Sequence, residues 1–118
     1  MLFLLLNEGH FILIRKIKEC IPQRLRGDDI LFALQFMEDS NNLTLIFNSW
    51  DASASQNLLH LQTFNSGALL PVESATLDSI EKINGVQVSR LGNYPASGIV
   101  FEGGSIEEKA KSISQYLR

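Results

Sequence analysis

Apolar residues fall along this chain in short runs, and polar clusters separate them. The runs at residues 2–6 and 11–17 flank a four-residue Asn-Glu-Gly-His segment. That pattern predicts a hairpin of buried strands. An N-terminal helix is the competing reading, because short apolar runs do not separate the two by periodicity. Gly9 and the isoleucines of this segment count against the helix. Pro22 ends the following stretch, and residues 24–29 form a polar connector.

The next stretch, LFALQFMEDSNNLTLIFNSWD, spans residues 31–51. Ile30, Phe32, Leu34 and Phe36 alternate onto one face, while Leu31, Ala33 and Met37 make the other partly apolar, which predicts a central strand. Asp39-Ser40-Asn41-Asn42 supplies turn chemistry. Leu43, Leu45 and Phe47 then alternate against Thr44, Asn48 and Trp50, which predicts the return strand. Residues 58–64 read as a third strand or a short helix. Ala75, Leu77, Ile80 and Ile83 recur about once per helical turn and Gly85 follows as a stop, so residues 73–83 are expected to be a helix. The rival is a hairpin turning at Asn84-Gly85.

Residues 86–91 and 98–102 read as short strands. The chain closes on an amphipathic helix. Ser105 with Glu108 three positions on is a capping box, and Ile106, Ala110, Ile113 and Leu117 form one apolar stripe. The whole predicts an α+β fold: a mainly antiparallel sheet with the C-terminal helix and a second helix packed on one face. At 118 residues, 45% hydrophobic and 19% charged, a single globular domain over residues 1–118 is expected. The lone cysteine, Cys20, cannot form an internal disulfide, which points to a reducing cytoplasm. The apolar N-terminal runs are too short for a membrane helix, and no membrane partner is expected.

Charge sharpens the picture. Residues 1–26 hold five basic and two acidic groups, residues 27–81 hold eight acidic and no basic groups, and residues 82–118 hold five basic and three acidic groups. The mild net charge of −3 therefore conceals a long acidic block. Strand edges are commonly protected with lysine, yet residues 31–51 carry none. Such a block is either solvated surface or a docking face for a basic partner, since complementary charge speeds encounter and rejects wrong partners. The docking face would comprise Glu38, Asp39, Trp50, Asp51, Glu73 and Asp78, with Trp50 as an anchor.

Candidate chemistry is sparse. The basic cluster Arg15, Lys16, Lys18, Arg24 and Arg26 lacks interleaved aromatics for base stacking, so no nucleic-acid partner is expected. Gly103-Gly104-Ser105 opens a helix as a phosphate cradle would, but Glu107 and Glu108 already complement the helix dipole there. His10, His60 and Cys20 lack the spacing of a metal site or a nucleophile–base pair. No catalytic residue, metal or cofactor is therefore expected. These observations favour a small non-enzymatic cytoplasmic binding protein, in its most concrete form an immunity protein or antitoxin that neutralises a basic toxin such as a nuclease. Two alternatives stand beside it. With a helical N-terminus, the element order resembles that of bacterial secretion chaperones, which implies a secreted effector as partner. The other is a small enzyme using His10, His60 or Cys20.

Overall fold

The structure is a computed structural model that describes residues 2–7, 10–40, 43–49, 57–65 and 70–117, with residues 2–7 as backbone alone. It contains seven strands and two α-helices among these residues, arranged as two antiparallel sheets. The chain divides into two compact units, Met1–Arg26 with Phe36–Gly67, and Gly27–Gln35 with Ala68–Arg118. The architecture is α+β, as the apolar pattern predicts. No helix among the described residues is long and apolar enough to cross a membrane.

The first unit is built on a four-stranded sheet in the order β1-β2-β4-β3. Strands β1 (Leu2–Asn7) and β2 (His10–Ile14) form the expected N-terminal hairpin, with Leu5 opposite Phe11. Strand β4 (Leu61–Phe64) pairs with β2 on one side and with β3 (Thr44–Ile46) on the other. Burial alternates along β4: Leu61 and Thr63 are buried, and Gln62 and Phe64 are half-buried. That period of two gives one core face and one more open face. Leu13, Ile14, Leu59 and Leu61 make the core of this unit. Thr63, buried among them, donates its hydroxyl proton to Phe11 O at 3.2 Å.

The second unit holds a meander of β5 (Thr76–Ile83), β6 (Val86–Gly92) and β7 (Ile99–Glu102), together with helix α2 (Ile106–Tyr116). Central strand β6 supplies the fully buried Val86 and Val88. Helix α2 starts as its capping residues predict, with Ser105 Oγ accepting from Glu108 N–H at 3.1 Å. Its carboxyl-terminal half is tied to the sheet: Tyr116 stacks edge-on against Phe101 at 5.3 Å and donates its hydroxyl to Glu81 at 2.6 Å.

Two element expectations are corrected. Residues 30–37, read as a strand, lie in helix α1 (Gly27–Glu38). Almost every position there is apolar, so neither period stands out, and Leu, Ala, Met and Gln favour helix intrinsically. Asp28 and Asp29 in the first turn mark its start. Residues 73–83, read as a helix, instead form a 3-10 turn (Pro71–Ser74) followed by β5. The rival hairpin is the one present. Asn84 and Gly85 both have positive φ, 51° and 77°, and join Ile83 to Val86 as a two-residue turn. The expected apolar stripe on α2 also ends early: Ala110 is buried, but Leu117 is 60% exposed.

Candidate functional site

The site with the most defined chemistry lies where the chain enters β4. Pro22 and its neighbours run beside residues 57–60 and pin them at several points. Leu59 N–H donates to Ile21 O at 2.7 Å. Gln23 N–H donates to the Asn57 side-chain oxygen at 3.0 Å. The Gln23 side chain, only 3% exposed, then takes hold of His60. Its Oε1 accepts from His60 N–H at 2.8 Å, and its Nε2 donates to His60 O at 3.1 Å and to Asn48 O at 2.8 Å. One acceptor and both amide protons are thus used.

The position of this clamp follows from strand register. β3 and β4 pair through Ile46 and Gln62. Continuing that register would set Asn48 directly against His60. Gln23 is bonded to both and stands in for the direct pairing.

The His60 ring is oriented by a further bond. Nδ1 lies 2.6 Å from Leu58 O. A carbonyl oxygen can only accept, so Nδ1 carries the proton and Nε2 of the neutral ring keeps its lone pair. His60 is half-buried between buried Leu59 and buried Leu61. It therefore shares the open face with Gln62, away from the core face of Leu61 and Thr63. An imidazole with a fixed tautomer and an available nitrogen can act as a nucleophile, a base or a ligand.

The other proposed chemistry does not gather here. His10 begins β2, and continuing the β2–β4 register past Phe11–Thr63 would set His10 against Phe64, four residues from His60, or about 13 Å along the strand. Cys20 is exposed at the end of the Ile17–Glu19 3-10 turn, with a φ of 49°. No three His, Cys, Asp or Glu side chains among the described residues converge as a metal site. Arg15, Lys16 and Lys18 line a hollow of about 270 Å³ with Ile17 and Glu19, and Lys16 pairs with Glu19 at 3.7 Å. The glycine pair before α2 is occupied by the protein itself. A Cβ on Gly104 would meet the Glu108 carboxylate at 2.9 Å, so that carboxylate sits where an anion would.

The described residues of the acidic block are divided between the two units. Glu38 and Asp39 are exposed at the end of α1 in the first unit, and Glu73 and Asp78 are exposed in the second. Trp50 and Asp51 lie outside the described residues. Several carboxylates have local work. Asp28 and Asp29 begin α1, and Glu73 accepts from Leu70 N–H at 2.6 Å. Glu81 receives the Tyr116 hydroxyl, a hydrogen bond that raises the Tyr116 pKa above its ordinary value.

Residues 6–64 match the family described as GDPGP1-like, N-terminal domain. The chain belongs to this family. It is 37% identical over 110 residues to GDP-L-galactose phosphorylase 2 of Arabidopsis thaliana, covering 90% of this chain and 26% of that protein. It is 34% identical to GDP-L-galactose phosphorylase 1 of the same plant, covering 90% of this chain and 25% of that protein. The chain thus spans about a quarter of the length of these curated relatives. No solved structure matches it.

This membership overturns the expectation of a non-enzymatic immunity protein or antitoxin, because the relatives are named as enzymes. An acidic block does not by itself separate a binding protein from part of an enzyme. Carboxylates that start helices and cap turns look the same in sequence as carboxylates awaiting a partner. His60 was visible as a candidate but had no recognised spacing around it. Gln23 was not visible at all, since its partners are 25 to 37 residues away.

Proposed function

We propose that this chain supplies the reactive histidine for phosphorolysis of a GDP-sugar, with His60 Nε2 as the group that engages phosphorus. The observation that carries this is the Nδ1–H bond to Leu58 O, which leaves Nε2 as the free nitrogen. The relatives' name, GDP-L-galactose phosphorylase, supplies the substrate class. In the first step Nε2 forms a bond to the nucleotide phosphorus and the phosphoric anhydride breaks, releasing the sugar phosphate. The ring becomes cationic, and the Leu58 carbonyl supports that charge through Nδ1–H. In the second step inorganic phosphate takes the nucleotidyl group from nitrogen, which yields GDP and restores the imidazole.

The test is GDP formation from GDP-L-galactose and inorganic phosphate by the wild-type chain and by His60→Gln. The variant is expected to lose roughly a thousandfold or more in rate, as other enzymes do when the attacking group is removed. Incubation without phosphate is expected to leave an acid-labile nucleotidyl adduct on the wild type alone. Equal rates in the two proteins, or no GDP from the wild type, would overturn the reading.

A further inference from the structure

We infer that Gln23 is the positioning residue of His60: its buried side-chain amide fixes the His60 main chain, and through it the Nδ1-protonated ring state. This inference rests on the reading of His60 as the reactive group, and adds the residue that prepares it.

Direct strand pairing does not account for the hydrogen bonds at His60. The β2–β4 pairs run from Phe11–Thr63 to Leu13–Leu61, and the β3–β4 pairs end at Ile46–Gln62. His60 lies one residue before β4. Gln23 nevertheless gives His60 two main-chain hydrogen bonds, one to N–H at 2.8 Å and one to C=O at 3.1 Å. A side-chain amide carries the same donor and acceptor as a peptide group, so one glutamine can serve as the missing neighbour of a strand residue.

The ring follows the main chain. The Nδ1–Leu58 O bond spans only two residues, so it forms only when the backbone from Leu58 to His60 holds one shape. Leu59 N–H to Ile21 O secures the middle of that segment. Gln23 secures its end. Without the amide, the His60 N–H and the carbonyls of His60 and Asn48 lose their partner, and the segment is free to move. The imidazole then exchanges between its two neutral tautomers, and the Nε2 lone pair is no longer held in one place. Burial of Gln23 points the same way, because an amide bonded on three sides at 3% exposure cannot be replaced by water without rearrangement.

The test uses the full chain and reads the ring rather than the reaction. The ¹⁵N shifts of the His60 ring nitrogens are measured in the wild type, in Gln23→Met and in Gln23→Glu. The wild type is expected to show the Nδ1-protonated form alone. Gln23→Met has the length but no polar group, and is expected to show both neutral tautomers in exchange. Gln23→Glu keeps the acceptor for His60 N–H but loses both donors, and is expected to fall between them. Turnover is expected to drop about 10- to 100-fold in kcat with little change in KM, since the substrate is still bound but the nitrogen is misplaced. If the variants fold and the His60 ring shifts stay those of the wild type, the inference is overturned.

A second measurement needs no variant. His60 N–H in the wild type should exchange with solvent at least tenfold more slowly than an unprotected amide, although it lies outside the ladder. Free exchange there would overturn the inference as well. Both readouts stand even if His60→Gln proves fully active, so failure of the reactive-histidine reading and failure of the positioning role are distinguishable.

Discussion

Gln23 in the first unit and Ser112 in the second are both buried polar side chains with their hydrogen bonds made. Ser112 is fully buried in α2, donates to Glu108 O at 2.9 Å, lies 3.4 Å from Ile83 O and accepts from Asn84 Nδ2 at 3.5 Å. It ties a helix to a hairpin turn. Gln23 ties a loop to the main chain of the histidine proposed as the reactive group. No buried side-chain nitrogen or oxygen among the described residues lacks a partner. Satisfaction of buried polar groups is therefore general in this protein and does not by itself mark function. What separates the two residues is the group that each one holds.

The second unit offers the larger stability effect. Ser112→Ala should lower stability by about 1–2 kcal/mol, because it removes the hydroxyl that meets the Ile83 carbonyl and the Asn84 amide. A denaturant titration checks this. The same variant should leave the His60 ring shifts unchanged, whereas Gln23→Met should move them. If Ser112→Ala moved them equally, the ring state would report only general stability and the distinction would collapse.

A smaller effect sharpens the picture of how α2 is held. The Tyr116 hydroxyl donates to Glu81, which raises its pKa above the ordinary 10.0. A raised pKa in the folded state means that the bond contributes its stability fully below the ordinary value. That contribution is lost as pH rises through the raised value. Wild type and Tyr116→Phe should therefore differ slightly in melting temperature near neutral pH and converge above pH 10. A difference that grows with alkalinity would sink the assignment. Smallest of all is Leu117→Asp. Leu117 is 60% exposed, so the change should stay within about 0.5 kcal/mol. A loss of several kcal/mol would show that the stripe continues past Ile113.

The legibility of the elements varied for physical reasons. Helix α2 was readable because Ser105, Glu108, Ala110 and Ile113 carry both a cap and a period. The N-terminal hairpin was readable because two apolar runs flank a polar break. Helix α1 was not, since Ile30-Leu31-Phe32-Ala33-Leu34 satisfies an alternating pattern and a helical one alike. Asp28 and Asp29 were the available signal, as acidic residues cluster in first turns. Strand β5 hid behind a bulge. Ser79 pairs with Ser89 and Glu81 with Val88, which leaves Ile80 as the extra residue. The bulge shifts the alternation by one position, so the apolar spacing resembled a helix. The candidate site was half legible. His60 stood out by residue type, but its tautomer depends on a backbone carbonyl and its clamp on Gln23, neither of which leaves a mark in local sequence.

Gln23 touches His60 only through atoms that every amino acid other than proline possesses. The socket is therefore blind to what it displays. Replacing the imidazole would leave both clamp bonds in place, so the fold at this corner can persist after its chemistry is gone. If His60 is the reactive group, as proposed, the side chain at position 60 decides whether a chain with this corner intact is active or inert. Selection on the scaffold and selection on the reaction can consequently act on different residues, even though the two are in direct contact.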